Sequence, residues 1–548
     1  LHKAIRRQRQ MCIRDSMNSG RFSEPEELEG DYSEILYENT KKPKTNDEAG
    51  LGIEIRCDTD GNVTGALIDG GDTNTIIVSS TGAGKTRRIL CQYILSCIYA
   101  LQSFVVHDPK GEIYSFFCKL LKKMGFRTKV INLRDPMKGD RLNFLQEAAI
   151  LWKEGKRGRA LEVARDIAQT LYSPLEDKND LFWTQTSINL FLCYFTIAAT
   201  IYEPDYVTLS TIYRIHIEGI EKSRNTMGVL TYLEEHKDEP CYELGIPSLT
   251  APNDTRQSIF SVFTNGLVRV ILNEEIADMT TKSTFSVDDL AAGKKPMALF
   301  IITRDEAPQT YSTVVSAFVD MIYTKLIDLA QTEYNNRLPR TVHFILEEFG
   351  NIAKLENIND MMTASRSRGI RMVVVLQSLC QLYLTYTKEL AHVLIGNSQN
   401  LVFMSSTDME LVKMVSDRCG TMIDPYTNEK RELLSPDRLT HLNKKNGETL
   451  MLLDRHYPYI TSLPDLSQYK MIQPIKKVSF ESREKVKVEY GVFTKLIADI
   501  QERKLKTLMH EGEAKQREVM NKMQMTKKKM MEMPNELRTV LDEVICNG

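Results

Sequence analysis

The stretch "NTIIVSSTGAGKTRRIL", residues Asn74 to Leu90, joins an apolar strand, a glycine-containing turn and the start of a helix. Glycines in such a turn let backbone N–H groups curl around a phosphate, while Lys85 reaches the terminal phosphates and Thr86 supplies a hydroxyl for magnesium. An ordinary glycine turn is the alternative, which the flanking strand and helix disfavour. We therefore predict a phosphate-binding loop made of Ser80, Thr81, Gly82, Ala83, Gly84, Lys85 and Thr86.

The first position of this loop departs from the usual glycine. Ser79 stands there, where the chain must turn tightly. Glycine adopts either sign of φ freely, whereas serine fits only if its φ stays negative. We expect the loop to bind nucleotide despite this serine, and Ser79 is the residue at which that expectation should be tested.

Paired carboxylates end a second apolar strand, in "TVHFILEEFGNIAKL". By position, Glu347 is predicted to hold magnesium together with Thr86, and Glu348 to act as the base that positions the attacking water. Glu347 is one methylene longer than the Asp usual at this place, which would shift the metal and slow hydrolysis. The alternative is a solvated helix start, because acidic residues favour helix N-termini.

Short β-branched or aromatic runs alternate with helical patterns over most of the chain. This alternation predicts an α/β fold with a mostly parallel sheet covered on both faces. Between about Lys156 and Ala292 the periodicity is helical throughout, which predicts an inserted all-α domain and explains the long separation of Lys85 from Glu347. The predicted strands are Thr75 to Val78, Ser103 to His107, Thr128 to Leu133, Met297 to Ile302, Val342 to Leu346, Arg371 to Leu376, Leu401 to Met404 and Thr449 to Leu453.

Composition shifts divide the chain into segments. Residues 1–16 contain "MCIRDS", which a common sequencing adapter encodes, so we expect a non-native leader there. The polar stretch up to Asp72 predicts an irregular lead-in. Phe493, Leu496, Ile497 and Ile500 stand at helical spacing and predict an amphipathic helix in the tail. The predicted segments are the leader 1–16, a lead-in 17–72, a nucleotide-binding domain in two parts (73–155 and 293–473), the all-α domain 156–292 and a charged helical tail 474–548.

The overall composition excludes some classes of protein. A formal charge of -2 over 548 residues argues against a globally basic nucleic-acid binder, so DNA contact would come from local patches or an inner channel. The ten cysteines lack a CxxC pair, which predicts reduced thiols and no structural zinc. The longest apolar run, Ile188 to Ile201, is shorter than the roughly 20 residues that span a bilayer, so we expect a buried helix.

Three further stretches are typical of one family. "FVVHDPKGEIY" carries Asp108 to Glu112 after a strand, "ASRSRGIRMVVVLQSLCQL" sets arginines before a strand that ends at Gln377, and "IGNSQNLVFM" precedes another strand. With "LEEFGNIAKL", these motifs make residues 17–467 resemble the TraG-like coupling proteins of type IV secretion, relatives of the FtsK and HerA DNA translocases. "DPKGE" is the most diagnostic, because generic P-loop enzymes lack it.

The resemblance implies a RecA-like P-loop ATPase that uses ATP and Mg²⁺ and forms a homo-hexameric ring at the cytoplasmic face of the membrane. Such a ring receives relaxase-bound DNA from relaxosome proteins and passes it to a type IV secretion channel during conjugation. "SGRFSEPEEL" resembles the segment that follows the family's membrane helices, so we expect anchors missing from this chain, which as it stands reads as soluble and cytoplasmic.

The resemblance also implies roles for single residues. Gln377 would be a polar sensor beside the paired carboxylates; capping of its strand is the alternative. One arginine would act in trans on a neighbour's ATP, with a basic helix face or a DNA contact as the alternative. The candidates for this arginine are Arg366, Arg368 and Arg371.

Other notable residues receive no firm role. Asp108, Lys110 and Glu112 lie where open α/β folds bind ligands, or else form a charged surface turn. Phe182 and Trp183 are interpreted as core of the helical domain rather than as a base-stacking platform. The lysine cluster in "KMQMTKKKMM" is interpreted as a solvated helix face, with DNA, anionic lipid or a partner as alternatives.

Two rival functions remain open at this point. The first is a FtsK- or HerA-like translocase in DNA processing or defence. The second is a nucleotide-binding receptor that docks relaxase–DNA complexes with little hydrolysis, which Ser79 and Glu347 would favour.

Overall fold

The computed structural model describes residues 20–37, 48–175, 181–220, 222–223, 226–304, 309–424, 427, 429–476, 478–488 and 491–531. The predicted leader 1–16 therefore lies outside the described residues, as does the end of the tail. The strands are β1 (Ser33–Leu36), β2 (Leu51–Cys57), β3 (Val63–Asp69), β4 (Thr75–Ser79), β5 (Ser103–Asp108), β6 (Arg127–Asn132), β7 (Lys222–Ser223), β8 (Thr226–Met227), β9 (Met297–Ile302), β10 (Val342–Leu346), β11 (Ile370–Leu376), β12 (Asn400–Ser405), β13 (Thr421–Ile423), β14 (Lys430–Glu432), β15 (Glu448–Leu452) and β16 (Tyr459–Ser462).

Helices cover both faces of the sheet and make up most of the middle of the chain. They are α1 (Pro25–Glu29), α2 (Cys91–Tyr99), α3 (Glu112–Lys123), α4 (Gln146–Lys153), α5 (Arg157–Tyr172), α6 (Phe182–Ile201), α7 (Leu209–Ile220), α8 (Gly228–Glu235), α9 (Pro240–Leu249), α10 (Asn253–Ile271), α11 (Glu274–Met279), α12 (Asp289–Ala292), α13 (Gln309–Glu333), α14 (Ile358–Thr363), α15 (Leu379–Thr385), α16 (Lys388–Gly396), α17 (Met409–Cys419), α18 (Pro436–Thr440) and α19 (Val492–Met531).

A nine-stranded sheet forms the centre of the molecule, in the order β16-β15-β12-β4-β11-β10-β5-β9-β6. The seven strands from β12 to β6 run parallel, and β15 and β16 add an antiparallel edge. All eight predicted strands are present, and the α/β class with a mostly parallel sheet is confirmed. Strand β16 was not predicted, because this four-residue edge strand is too short for a clear alternating pattern.

Alternate residues of the sheet strands enter two different cores. On β4, Ile76 and Val78 pack with the helices of the middle segment, whereas Ile77 packs with α2 and α3 on the other face. Because both faces are covered, the strand is buried along its whole length. This explains why the central strands read as continuous apolar runs.

The predicted helical interval contains helices α5 to α12, together with the two-residue pair of β7 and β8. Its apolar side chains are part of the same core as one face of the sheet. Trp183 is partly buried against that core, as interpreted, but Phe182 beside it is 53% exposed. The boundaries of an inserted domain at 156–292 stay a prediction.

The N-terminal lead-in is more regular than expected. Strands β1, β3 and β2 form an antiparallel three-stranded sheet, so the expectation of an irregular segment up to Asp72 is wrong for 33–36 and for 51–69. Ile53, Ala66 and Ile68 are buried in the core that also contains α2. Register shifts in β2 and the glycines in these strands break the simple alternation, which is why the pattern was missed.

The tail helix α19 begins against the helical segment and then leaves it. Phe493 and Ile500 are fully buried and Ile497 nearly so, which confirms the predicted amphipathic start. Glycine leaves the space for this packing, because a Cβ on Gly228 would lie 2.8 Å from Ile497. Glu218 accepts hydrogen bonds from the backbone N–H groups of Gly491 and Thr494 at the helix start. Across the described ranges, no helix combines the length and the apolarity that a membrane span requires.

We expect Phe493→Ala to weaken the docking of α19 by about 3 kcal/mol, because it removes a buried aromatic side chain and leaves a cavity. Chemical denaturation and amide hydrogen exchange over residues 492–500 measure this loss. Leu505→Ala is the matched control, since Leu505 lies in the same helix but is 38% exposed. Equal effects of the two substitutions would contradict the docking role.

Candidate nucleotide-binding site

The predicted site residues meet at one edge of the sheet. Because β4, β11, β10 and β5 are parallel neighbours, the residues that follow them come together at their carboxyl ends. The phosphate-binding loop follows β4, Gln377 follows β11, and Glu347 with Glu348 follows β10. Residues far apart in sequence are thereby placed around one loop.

Ser79 does not disturb the loop. It is buried in the extended end of β4, and the positive φ values fall on Gly82 (73°) and Gly84 (93°). The next residue is held by the neighbouring strand, since the Ser80 N–H donates to the Ser405 carbonyl at 2.9 Å and the two hydroxyls lie 2.6 Å apart. The turn therefore places its positive-φ conformations on glycine, and serine is accommodated without backbone strain.

Lys85 faces the second of the paired carboxylates. Its Nζ lies 4.0 Å from Glu348 Oε1 and has no hydrogen-bond partner among the described residues, although Lys85 is only 8% exposed. Glu348 has φ 53° and ψ 47°, a left-handed conformation that is uncommon for a residue with a side chain. Asn351 Nδ2 donates to Glu348 Oε2 at 3.1 Å. A buried ammonium without a hydrogen bond fits a site that receives an anion.

Thr86 and Glu347 are in direct contact, because the Thr86 hydroxyl donates to Glu347 Oε1. Glu347 is 6% exposed. The pKa of Glu347 is raised to about 7, mainly by burial and in smaller part by the neighbouring Asp108, against the lowering effect of the hydrogen bond from Thr86 and the charge of Lys85. A hydroxyl and a carboxyl brought together in this way are the oxygen ligands that Mg²⁺ prefers.

Gln377 lies beside the loop. Its Oε1 accepts a hydrogen bond of 3.2 Å from the Thr81 hydroxyl. The side chain therefore contacts the phosphate-binding loop directly, as a residue that senses the loop must. Its role as a sensor stays a prediction.

The three arginines do not share one environment. Arg366 and Arg368 lie at the amino end of β11, roughly 20 Å from the loop given the rise of a seven-residue strand. Arg371 is 5% exposed, and its guanidinium donates to the carbonyls of Ala49 at 2.5 Å and Gly70 at 2.9 Å. Arg371 thus connects the N-terminal sheet to β11. Because Arg371 is buried, it is no longer a candidate for the arginine that acts on the ATP of a neighbouring subunit.

Two residues at the end of β5 complete the surroundings of Glu347. The Asp108 side chain is fully buried, its Oδ2 accepts from the Tyr114 N–H at 2.9 Å, and its Oδ1 has no partner in the described part of the chain. Burial raises the pKa of Asp108 to about 6. His107 Nδ1 donates to the Glu347 carbonyl at 2.7 Å, and burial lowers its pKa to about 4, so the imidazole is neutral.

The sequence assigned no role to His107, and for Asp108 it left open a ligand-binding strand end or a charged surface turn. The signal was available in "DPKGE", because the residues directly after a parallel strand gather at the same edge as the loop. Lys110 and Glu112 lie beyond this edge, in the turn and at the start of α3. The interpretation of the motif as a surface turn therefore applies to them and not to Asp108.

Comparison with known proteins places the chain in a family. The sequence profile described as "Type IV secretory system Conjugative DNA transfer" matches residues 38–431, well over half of the chain. The protein VirD4 of Rhizobium rhizogenes is 23% identical over 359 residues, which cover 65% of this chain and 50% of VirD4. VirD4 of Agrobacterium fabrum is also 23% identical over the same shares. The chain thus spans about half the length of the curated relatives it matches.

Solved structures show the same fold. The unbound bacterial conjugative coupling protein TrwBdeltaN70 has a TM-score of 0.59 and 17% identity, and the match covers 84% of this chain and 95% of that one. The plasmid coupling protein TrwB in complex with ADP and Mg²⁺ has a TM-score of 0.58 and 15% identity, over 85% and 96% of the two chains. At this level of sequence identity, the structural similarity supports the RecA-like α/β fold and nothing further. The profile match decides the family: this chain belongs to the type IV secretory system conjugative DNA transfer family.

Proposed function

We propose that this protein is an ATP-driven coupling protein that recruits relaxase-bound DNA and drives its transfer into a type IV secretion channel during conjugation. The observation that carries the proposal is the set of contacts at the carboxyl edge of the sheet, where the loop, the Thr86–Glu347 pair and the Lys85–Glu348 pair meet. Family membership supports the proposed setting, in which relaxosome proteins and channel components would be the partners at the cytoplasmic face of the membrane.

ATP is the proposed substrate. The backbone of residues 80–86 and the ammonium of Lys85 would hold its phosphates, and the unpartnered Lys85 Nζ supports this role. Crystals of TrwB contain the ATP analogue ADPNP, the GTP analogue GDPNP, or ADP with Mg²⁺, which supports nucleotide binding here and leaves the choice of base open.

The residues present fit a magnesium ion. Thr86 and Glu347 would hold the ion. Asp108 Oδ1 is a further candidate ligand, because it is buried next to Glu347 and has no hydrogen-bond partner among the described residues. When bound, magnesium neutralises charge that develops on the phosphates. Glu348 is proposed as the base that orients the attacking water, and Asn351 holds its carboxylate in place. Gln377 would report the state of the loop through Thr81.

A homo-hexameric ring is proposed because the two arginines beside the loop are engaged within the subunit, Arg87 with Asp465 and Arg88 with the carbonyls of Leu463 and Lys445. Arg366 and Arg368 lie at the opposite edge of the sheet, where a neighbouring subunit can meet them. Within the ranges that the structure describes, their guanidinium groups donate only to backbone carbonyls, of Asp72 at 3.4 Å and of Asn336 at 3.3 Å. An arginine supplied by a neighbour would stabilise charge in the transition state.

We expect ATP hydrolysis that DNA stimulates. Lys85→Ala removes the ammonium that holds the terminal phosphates and should abolish nucleotide binding. Glu348→Gln keeps the shape of the side chain but removes the base, so binding should persist while turnover falls by at least about 100-fold. Steady-state hydrolysis with and without single- and double-stranded DNA, and binding of a fluorescent nucleotide, measure the two effects.

Turnover by Glu348→Gln at the wild-type rate would contradict the assignment of the base. Tight binding by the wild type without turnover, with DNA present and at concentrations that allow assembly, would favour the docking receptor instead.

Restoring the usual glycine is expected to change little. Because Ser79 is already extended and buried, we expect Ser79→Gly to alter nucleotide affinity by less than about threefold. Ser79→Pro is the contrasting variant, since it removes a backbone N–H from the end of a central strand. Titration with a fluorescent nucleotide compares them, and a gain of tenfold or more for Ser79→Gly would show that serine impairs the loop.

The arginine in trans can be tested by mixing inactive subunits. An equimolar mixture of Lys85→Ala and Arg366→Ala should regain about a quarter of the wild-type hydrolysis, the share of interfaces that combine two intact partners. The same experiment is run with Arg368→Ala. Lys85→Ala mixed with Glu348→Gln is the control: both residues belong to one subunit's site, so every site in the mixture lacks one of them and no recovery is expected. Absence of recovery for both arginine variants would contradict a role in trans.

A further inference from the structure

A second lysine lies at the phosphate-binding loop. The Lys444 Nζ is 3.8 Å from the position that a Cβ on Gly82 would occupy. Lys444 belongs to the turn between α18 and β15, more than 350 residues after Gly82 in sequence. It is exposed, and it makes no ion pair or hydrogen bond through its ammonium with any residue that the structure describes.

The turn that carries Lys444 is fastened to the helix behind the loop. Arg88, two residues after Thr86, donates to the carbonyls of Leu463 and of Lys445, the latter at 3.3 Å. Gly447 closes the turn with a positive φ of 70°, and its N–H donates to the Lys444 carbonyl at 3.1 Å. Hydrogen bonds therefore hold the turn that carries Lys444 in place beside the phosphate-binding loop.

The negative charge of the nucleotide site would favour a second cation at this position. The carboxyl groups of Glu347 and Glu348 lie next to Lys85, and that of Asp108 lies next to Glu347. A bound polyphosphate adds further negative charge, and hydrogen bonds between charged groups are stronger than neutral ones. A second ammonium at the loop would offset part of that charge.

We propose that Lys444 is a second phosphate-binding cation, which contacts the polyphosphate of the bound nucleotide from within the same subunit. The proposal rests on the nucleotide site proposed above and extends it to the antiparallel edge of the sheet. Lys444 binds the phosphates and takes no part in the transfer of protons, so its contribution is to affinity for nucleotides that carry at least two phosphates.

Nucleotide binding tests this without relying on turnover. Full-length protein is titrated with fluorescent ADP and with a fluorescent non-hydrolysable ATP analogue, both with Mg²⁺. Lys444→Ala should weaken binding of both by roughly tenfold, and Lys444→Arg should retain most of the affinity. Lys445→Ala is the matched control, because only the backbone carbonyl of Lys445 holds Arg88. It should stay within about twofold of the wild type.

Lysine labelling followed by mass spectrometry gives an independent readout. In the wild type, ADP with Mg²⁺ should protect Lys444 from an amine-reactive reagent and leave the labelling of Lys445 unchanged. If the wild type binds nucleotide while Lys444→Ala matches Lys445→Ala and Lys444 is not protected, the assignment of Lys444 is overturned. If the wild type binds no nucleotide, the proposed function fails and the assignment fails with it.

Discussion

Seven neighbouring strands of the central sheet run in the same direction, and the whole candidate site depends on that shared direction. A parallel strand cannot be reached by a short turn, so the chain must cross over between strands and return. Each return brings the carboxyl end of another strand to the edge where the loop after β4 lies. The long helical segment is one of these crossovers, since it connects β6 with its neighbour β9.

Burial sets the electrostatics at this edge. Glu347 and Asp108 end adjacent strands, and both lie where water is excluded. Removal from water disfavours the charged form, so the pKa values of both carboxyl groups are raised toward neutrality. The neutral His107 holds the backbone of Glu347 without adding a charge. The edge is thus arranged to accept positive charge beside its carboxyl groups and negative charge beside Lys85.

Segments from both ends of the chain support the loop from outside. Arg371 joins β11 to the N-terminal sheet through two backbone carbonyls. On the other side, Arg87 binds Asp465 with contacts of 2.6 and 2.8 Å, and Arg88 binds the carbonyl of Leu463. Both arginines directly follow Thr86, so the start of the helix behind the loop is fixed to the residues that follow β16. The loop and the antiparallel edge of the sheet are therefore directly connected through these two arginines.

The sequence by itself determined the strands that carry the site, the loop at residues 80–86 and the paired carboxylates at 347 and 348. Local patterns suffice for these, because a fully buried strand is apolar along its length and a loop that cradles phosphate needs glycine. Only the tertiary structure decided that Arg371 is a buried fastening, that Asp108 faces Glu347 and that Lys444 reaches Gly82. These facts depend on which strands are neighbours and how distant segments pack, and neither follows from spacing along the chain.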